Sequence, residues 1–188
     1  MRRAPGRLRI IGGEFRSRVV GFEAAPGMRA TPDRVRQTLF DWLAPVIEGA
    51  RGLDLFAGSG ALGLEALSRG AGHVTFVETG AAQAAAIRAA LAALNCADRA
   101  TVVPGDALAF LASAPPKSFD IAFLDPPFDA GLLAPALAAL PAALSADARV
   151  YAEWHGAGAL PWPAGYAVLR ERKAGQVSYA LATYGSPA

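Results

Sequence analysis

Residues 52–63 read Gly52-Leu53-Asp54-Leu55-Phe56-Ala57-Gly58-Ser59-Gly60-Ala61-Leu62-Gly63: a short apolar run, a glycine-rich turn, and the start of an Ala/Leu-rich segment. A strand that turns through glycines into a helix is the unit at which an open α/β sheet binds its ligands. Gly58, Gly60 and Gly63 satisfy G-x-G-x-x-G, a pattern that suits dinucleotides and other nucleoside cofactors alike. Asp54 bears on the choice between them. A carboxylate inside an apolar strand costs energy unless donors hold it. From four residues before Gly58 it can accept from the loop N–H groups or meet an ammonium group through water. A cofactor with a free amino acid moiety benefits from that charge, whereas a pyrophosphate is repelled by it.

The rhythm continues downstream. Strands at 53–56, 73–78, 101–103, 119–124 and 149–154 alternate with helices at 61–69, 81–94, about 107–111 and about 131–144. Such alternation builds a parallel sheet with helices on both faces. The tail breaks it: 166–170 and 177–183 face each other across Lys173-Ala174-Gly175-Gln176 with no helix between them. They form a hairpin that makes the end of the sheet antiparallel. The expected fold is therefore α/β, with a mostly parallel seven-stranded sheet.

Upstream of the loop, 8–11 and 15–20 flank Gly12-Gly13 as a small hairpin, with Arg7, Arg9, Arg16 and Arg18 on its open face. Thr31-Pro32-Asp33 opens a helix, with Thr31 as N-cap, Pro32 at the first helical position and an acid in the first turn. Val35, Leu39, Leu43 and Val46 form its apolar stripe, which Arg34 and Arg36 need not share.

The chain has 188 residues, 53% hydrophobic and 18% charged, which is enough for one core and excludes wholesale disorder. Cys96 is the single cysteine, and His73 and His155 are the only histidines, so neither a disulfide framework nor a Cys/His metal site is expected. All three read as structural. The most apolar stretch, 132–144, contains Pro135 and Pro141 and falls short of the roughly 20 residues a membrane-spanning helix needs. Met1-Arg2-Arg3 has no apolar run behind it, so a secretory signal is not expected and the protein is placed in the cytoplasm.

The net charge of +2 is unevenly spread. Up to Arg36 there are nine arginines against Glu14, Glu23 and Asp33, a balance of +6, and the remainder carries −4. A basic end on an acidic body is the footprint of a domain that meets a polyanion with one end. Arginine forks onto phosphates and stacks on bases, as lysine does not.

After the fourth strand comes Asp125-Pro126-Pro127-Phe128. Two prolines fix φ and lack N–H groups, so the Pro126 carbonyl is rigidly aimed. With the Asp125 carboxylate it makes a pair of acceptors matched to the two hydrogens of a planar exocyclic NH₂, and Phe128 can stack on the base that carries it. Accepting both hydrogens leaves the nitrogen lone pair free to attack a methyl group in line, so proximity and orientation supply most of the catalysis. Glu78 ends the second strand, where an acid reaches a ribose hydroxyl pair. Asp106 follows the third strand, where it can accept from an adenine amino group or cap the next helix.

Asp54 to Gly63 and Asp125 to Phe128 resemble motifs of the class I S-adenosylmethionine (SAM)-dependent amino-methyltransferases. More narrowly, Arg9-Ile10-Ile11-Gly12-Gly13, Thr31-Pro32-Asp33-Arg34-Val35-Arg36-Gln37-Thr38-Leu39-Phe40, Gly63-Leu64-Glu65-Ala66-Leu67-Ser68-Arg69-Gly70 and Lys173-Ala174-Gly175-Gln176-Val177 resemble the RsmD family. The resemblance covers nearly the whole chain. It departs from the family pattern at Ala30, where proline is frequent, and at Gln37, where glutamate is usual.

The resemblance implies a Rossmann-like methyltransferase fold, with a basic N-terminal hairpin extension at 1–30 and a SAM-dependent methyltransferase domain at 31–188. It implies methyl transfer to N2 of a guanine in bacterial small-subunit (16S) ribosomal RNA. The cofactor would be SAM, the product S-adenosylhomocysteine, and no metal would take part. Thr31, Asp54, Phe56, Ala57, Gly58, Ser59, Gly60, Glu78, Asp106 and Ala107 would surround the cofactor, and Asp125, Pro126, Pro127 and Phe128 would hold the target base. Arg7, Arg9, Arg16, Arg18, Arg34 and Arg36 are the candidates for RNA contact. The expected partner is the assembled or assembling 30S subunit, met by a monomer. An adenine-N6 DNA or RNA methyltransferase is the alternative that keeps the chemistry. A nicotinamide-dependent oxidoreductase and a non-catalytic RNA-binding module are the alternatives that do not.

Overall fold

The computed structural model describes residues 6–24, 30–156 and 158–185; Arg2, Arg3 and Arg29 of the basic end lie outside them. The chain runs β1 (Gly6–Arg9), β2 (Val19–Phe22), α1 (Asp33–Leu43), β3 (Arg51–Asp54), α2 (Ala61–Ser68), β4 (His73–Glu78), α3 (Ala81–Ala93), β5 (Ala100–Pro104), α4 (Ala107–Ser113), β6 (Phe119–Leu124), α5 (Leu133–Ala139), β7 (Leu144–His155), β8 (Tyr166–Ala174) and β9 (Val177–Tyr184). The main sheet has seven strands in the order β5-β4-β3-β6-β7-β9-β8. β5 to β7 pair in parallel, and β9 pairs antiparallel with both β7 and β8. The alternating series and the terminal hairpin expected from the sequence are both present.

Two apolar layers sandwich the sheet. On one face α1, α2, α3 and the β1–β2 hairpin enclose Ile121, Phe123, Tyr151, Tyr179 and Leu181. On the other, α4 and α5 pack on Leu53, Leu55, Ala122, Leu124, Val150 and Ala152. Coverage on both sides explains why β6 is a nearly continuous apolar run rather than an alternating one. Every residue of α2 is buried, Glu65 and Ser68 included. α1 is fastened by Phe40 against Phe123 and Trp42 against Tyr179, ring centres 5.9 and 5.7 Å apart. Each fully buried side chain of this size contributes on the order of 1.5–3 kcal/mol.

Several local expectations change. The second strand of the small hairpin is Val19–Phe22 instead of 15–20, paired from Gly6↔Phe22 to Arg9↔Val19. Phe15 leaves the strand pattern because it is buried in the core from within a tight loop, which the Ile10 N–H closes onto the Arg18 carbonyl at 2.9 Å. Arg16 and Arg18 therefore lie on that loop and not on a strand face. The apolar stripe of α1 stops at Leu43, leaving Val46 beyond the helix and 37% exposed. The stretch 131–144 is not one helix: Pro141 stands in a 3₁₀ turn, Leu140–Ala143, that follows α5. β7 is longer than expected and begins directly from that turn. No helix among the described residues is long and apolar enough to cross a membrane.

Candidate active site

The C-terminal ends of β3 and β6 open onto a pocket lined by Thr31, Asp54, Phe56, Ala57, Gly58, Ser59, Ala61, Leu62 and Asp125. The glycine loop and Asp125, far apart in sequence, thus share one cleft, whereas Gly60, Glu78, Pro126, Pro127 and Phe128 do not line it. Two glycines are required by their positions. Gly60 starts α2 at φ 76°, and a Cβ on Gly63 would stand 2.2 Å from the Phe76 ring.

Three carboxylates shape the loop. Asp54 is buried and accepts from the Gly63 N–H at 2.9 Å, so it anchors the first turn of α2 to β3. Burial, opposed by that hydrogen bond, raises its pKa to about 7. Glu78 spans the loop and the next turn, accepting from the Gly58 and Gly80 N–H groups at 2.7 Å each. Asp106 caps α4 through the Ala109 N–H at 2.9 Å. Asp106 and Ala107, at the start of α4, are not among the residues lining the pocket.

Asp125 follows β6 immediately and accepts from the Thr31 hydroxyl at 3.3 Å. Thr31 is not the N-cap of α1: Pro32 holds that place, and no side chain caps the helix. The hydroxyl is turned to Asp125 instead, which is why the helix start lacks it. Burial raises the Asp125 pKa, opposed by the Thr31 hydrogen bond. The Pro127 carbonyl accepts from the Ala130 N–H at 3.0 Å, whereas the Pro126 carbonyl accepts no backbone hydrogen bond among the described residues. Phe128 is 44% exposed, its ring centre 5.4 Å from that of His155. His155 is thus an exposed aromatic neighbour at the rim of the site and not a buried structural residue.

The arginines separate. Arg7, Arg16 and Arg34 are exposed, Arg9 pairs with Asp33 at 2.9 Å, and Arg18 donates to the Ala93 carbonyl at 2.8 Å. Arg16 and Arg18 sit by the C-terminal ends of α2 and α3, away from Asp125, because their loop is pinned there by Glu14 N–H on the Ser68 carbonyl. Arg36 is not a surface residue at all. It is 1% exposed and donates to the carbonyls of Thr31 and Arg9 and to the carboxylates of Asp33 and Glu65. The signal for this was its spacing: Arg36, Phe40 and Leu43 share the buried side of α1.

Two more features escaped the sequence reading. Glu153 on β7 is buried and accepts from the Tyr151 hydroxyl at 2.8 Å. It lies beside Asp125, whose charge adds to burial in raising the Glu153 pKa. The signal was an acid within the apolar run Val150-Tyr151-Ala152-Glu153, as with Asp54. Arg170, Arg172 and Lys173 are exposed near the tip of the β8–β9 hairpin. That tip lies at the Asp125 end of the sheet, since Val177 pairs with both His155 and Ala174.

The departures at Ala30 and Gln37 do not enter the pocket. Gln37 bonds Asp41 and Arg69, and Ala30 packs on the core. Among the described residues no group of three or more His, Cys, Asp or Glu is placed to hold a metal ion.

Residues 8–183 match the model of a protein family described as conserved hypothetical protein 95. The chain is 46% identical to ribosomal RNA small subunit methyltransferase D of Escherichia coli strain K12 over 179 residues, 94% of this chain and 89% of that protein. It is 40% identical to the protein of the same description in Haemophilus influenzae, covering 95% of this chain and 94% of that one. Among solved structures, a candidate methyltransferase of Escherichia coli, yhhF, superposes with a TM-score of 0.86 at 43% identity, over 96% of this chain and 99% of that one.

Proposed function

The chain belongs to the conserved hypothetical protein 95 family, the RsmD family, and on that premise we propose that it transfers the methyl group of SAM to N2 of a guanine in small-subunit ribosomal RNA. The observation that carries the reading is the shared pocket: Asp54 and the Gly58 loop on one side, Asp125 on the other. The chemistry of the donors fits SAM. No ion pair among the described residues includes Asp54 or Glu78, so these carboxylates are open to a cationic ligand. The same charge disfavours a dinucleotide pyrophosphate.

SAM supplies an electrophilic methyl on a positively charged sulfur. Asp54 and Glu78 fix the loop that would receive the amino acid and ribose parts. The Asp125 carboxylate and the Pro126 carbonyl would each accept one hydrogen of the target amino group, turning its lone pair toward the methyl. Phe128, exposed beside His155, offers a stacking face to the base. Positioning supplies the rate, and the nitrogen releases its extra proton after transfer.

A base must leave its stack to reach this pocket, which loops and partly assembled RNA make inexpensive. Arg7, Arg9 and Arg34 on one side, and Arg170, Arg172 and Lys173 on the hairpin on the other, are suited to flanking phosphates. We place the protein in the cytoplasm, as a monomer acting on the assembled or assembling 30S subunit. Titration calorimetry tests the cofactor assignment: SAM binds and NADH does not. Binding of NADH with none of SAM would overturn it.

A further inference from the structure

β7 ends at the rim of the pocket, and its last residue is His155. The backbone there is held at several points. His155 pairs with Val177 of β9, the Gly156 N–H donates to the Gln176 carbonyl at 3.0 Å, and the buried Ser178 hydroxyl donates to the Gly156 carbonyl at 3.0 Å. This rigid seat presents an exposed ring. Its centre lies 5.4 Å from that of Phe128, with 42° between the planes. A base slotted between two aromatic faces needs near-parallel planes about 7 Å apart, twice the contact distance between carbon atoms. Phe128 and His155 instead touch and make a single aromatic surface with a bend in it. One ring suffices for the target base, which leaves the second face without an occupant in the reading above.

The surroundings of the second ring suit a polyanion. Strand pairing puts Arg172 beside Tyr179, and Tyr179 beside Glu153. Side chains alternate along a strand, so Arg170, Arg172 and His155 project from the same face of the sheet, the one that α1 covers further in. Both arginines are exposed. Glu171 projects from the opposite face, so the near face of β8 carries them without an acid between. Asp129, next to Phe128, is exposed and disfavours phosphates on that side of the rings. Exposed rings flanked by cations are how a protein tracks single-stranded nucleic acid: bases stack on the rings and phosphates meet the cations.

We propose, resting on the RNA-methyltransferase reading above, that His155 binds a second, unpaired nucleotide: its imidazole stacks on the base next to the target, with Arg170 and Arg172 on the adjoining phosphates, while Phe128 takes the target base. Bases lying on two rings tilted by 42° are not parallel, so the target and its neighbour are unstacked from one another when bound. The substrate is therefore a segment in which two successive nucleotides are free of pairing, and not a single base extruded from an intact duplex.

The test is equilibrium binding, with S-adenosylhomocysteine present, of small subunits lacking the modification and of single-stranded poly(A), over a range of salt concentrations. His155→Ala weakens both by about 5–100-fold, the range of one lost base–aromatic stack. The slope of log K against log salt is unchanged, since a stack releases no counterion. His155→Phe restores binding to within about threefold, and His155→Lys does not. Rescue by lysine and not by phenylalanine overturns the proposal, since the residue would then serve as a charge. Wild-type binding by His155→Ala overturns it as well. So does a loss confined to kcat with subunit binding intact, since His155 would then only prop Phe128. SAM affinity and unfolding temperature stay at wild-type values in every variant, as for an exposed side chain; a fall in either would make the role structural and overturn the proposal. Poly(A) separates this failure from failure of the function. Aromatic rescue of poly(A) binding without ribosomal RNA methylation upholds the stack and removes the function, whereas methylation of guanine N2 with undiminished binding by His155→Ala does the reverse.

Discussion

The Arg36 guanidinium stands 3.2 Å from the Glu65 carboxylate, and neither side chain is more than 1% exposed. Glu65 also accepts from the Ile11 and Gly12 N–H groups at 2.9 Å each and from Arg69 at 3.0 Å. Arg36 reaches Arg9 and Thr31 through their carbonyls. One buried charge pair therefore ties the basic N-terminal segment, α1 and α2 together, and it sets Thr31 over Asp125. Removing one partner of a buried pair costs up to about 3–5 kcal/mol, less here because Arg69 and two backbone N–H groups still hold Glu65. Arg36→Met should lower unfolding stability by that order in urea denaturation. A loss no larger than that of an exposed Arg16→Met control would contradict the assignment.

Division of labour at the pocket predicts opposite signatures for two acids. Asp125→Ala removes an acceptor used on the target nitrogen, so kcat should collapse while SAM affinity holds. Glu78→Ala frees the Gly58 and Gly80 N–H groups and should weaken SAM binding by roughly 1–3 kcal/mol, the range of a charge-assisted hydrogen bond. Calorimetry and single-turnover kinetics on both variants separate the two roles. Parallel loss of SAM binding in Asp125→Ala would count against them.

SAM binding should also depend on pH through Asp54. Burial raises the Asp54 pKa to about 7, so in the free protein it is largely protonated below that pH. A cationic ligand favours the ionised form, so binding must expel the proton there. Affinity is then full above about pH 7 and falls by up to about tenfold per unit as pH drops below it. Asp54→Asn retains an acceptor for the Gly63 N–H and should flatten this profile. An unaltered profile in that variant would assign the dependence elsewhere.

RNA affinity should be carried by the cations at the Asp125 end of the sheet. Arg7→Glu with Arg34→Glu should weaken binding at every sequence tested and reduce the slope of log K against log salt by about one for each lost phosphate contact. Arg16→Glu, on the loop pinned at the other end, should do less. Equal slopes for all variants would show that the basic end is merely a solvated surface.

The alternation of strands and helices was legible because each parallel strand is a compact apolar run and each crossover an Ala/Leu-rich segment. The loop at Gly58 and the prolines at 126 and 127 were legible because glycine and proline act through the backbone, wherever the rest of the chain lies. Arg36, Glu65 and Glu153 were not. A lone charge in an apolar helix or strand announces that a partner exists without naming it. Arg36 and Glu65 are 29 residues apart and lie on different helices. Glu153 stands beside Asp125 only because β7 pairs in register with β6. Thr31 departs from the capping role its position suggests for the same reason: a helix cap is a local rule, and Asp125, 94 residues away, takes its hydroxyl.

The most direct test of the account is methyl transfer from labelled SAM to small ribosomal subunits that lack the modification, followed by nucleoside analysis of the digested RNA. The account predicts label in N2-methylguanosine, abolished by Asp125→Ala. Label in N6-methyladenosine, or none despite demonstrated SAM binding, would contradict it.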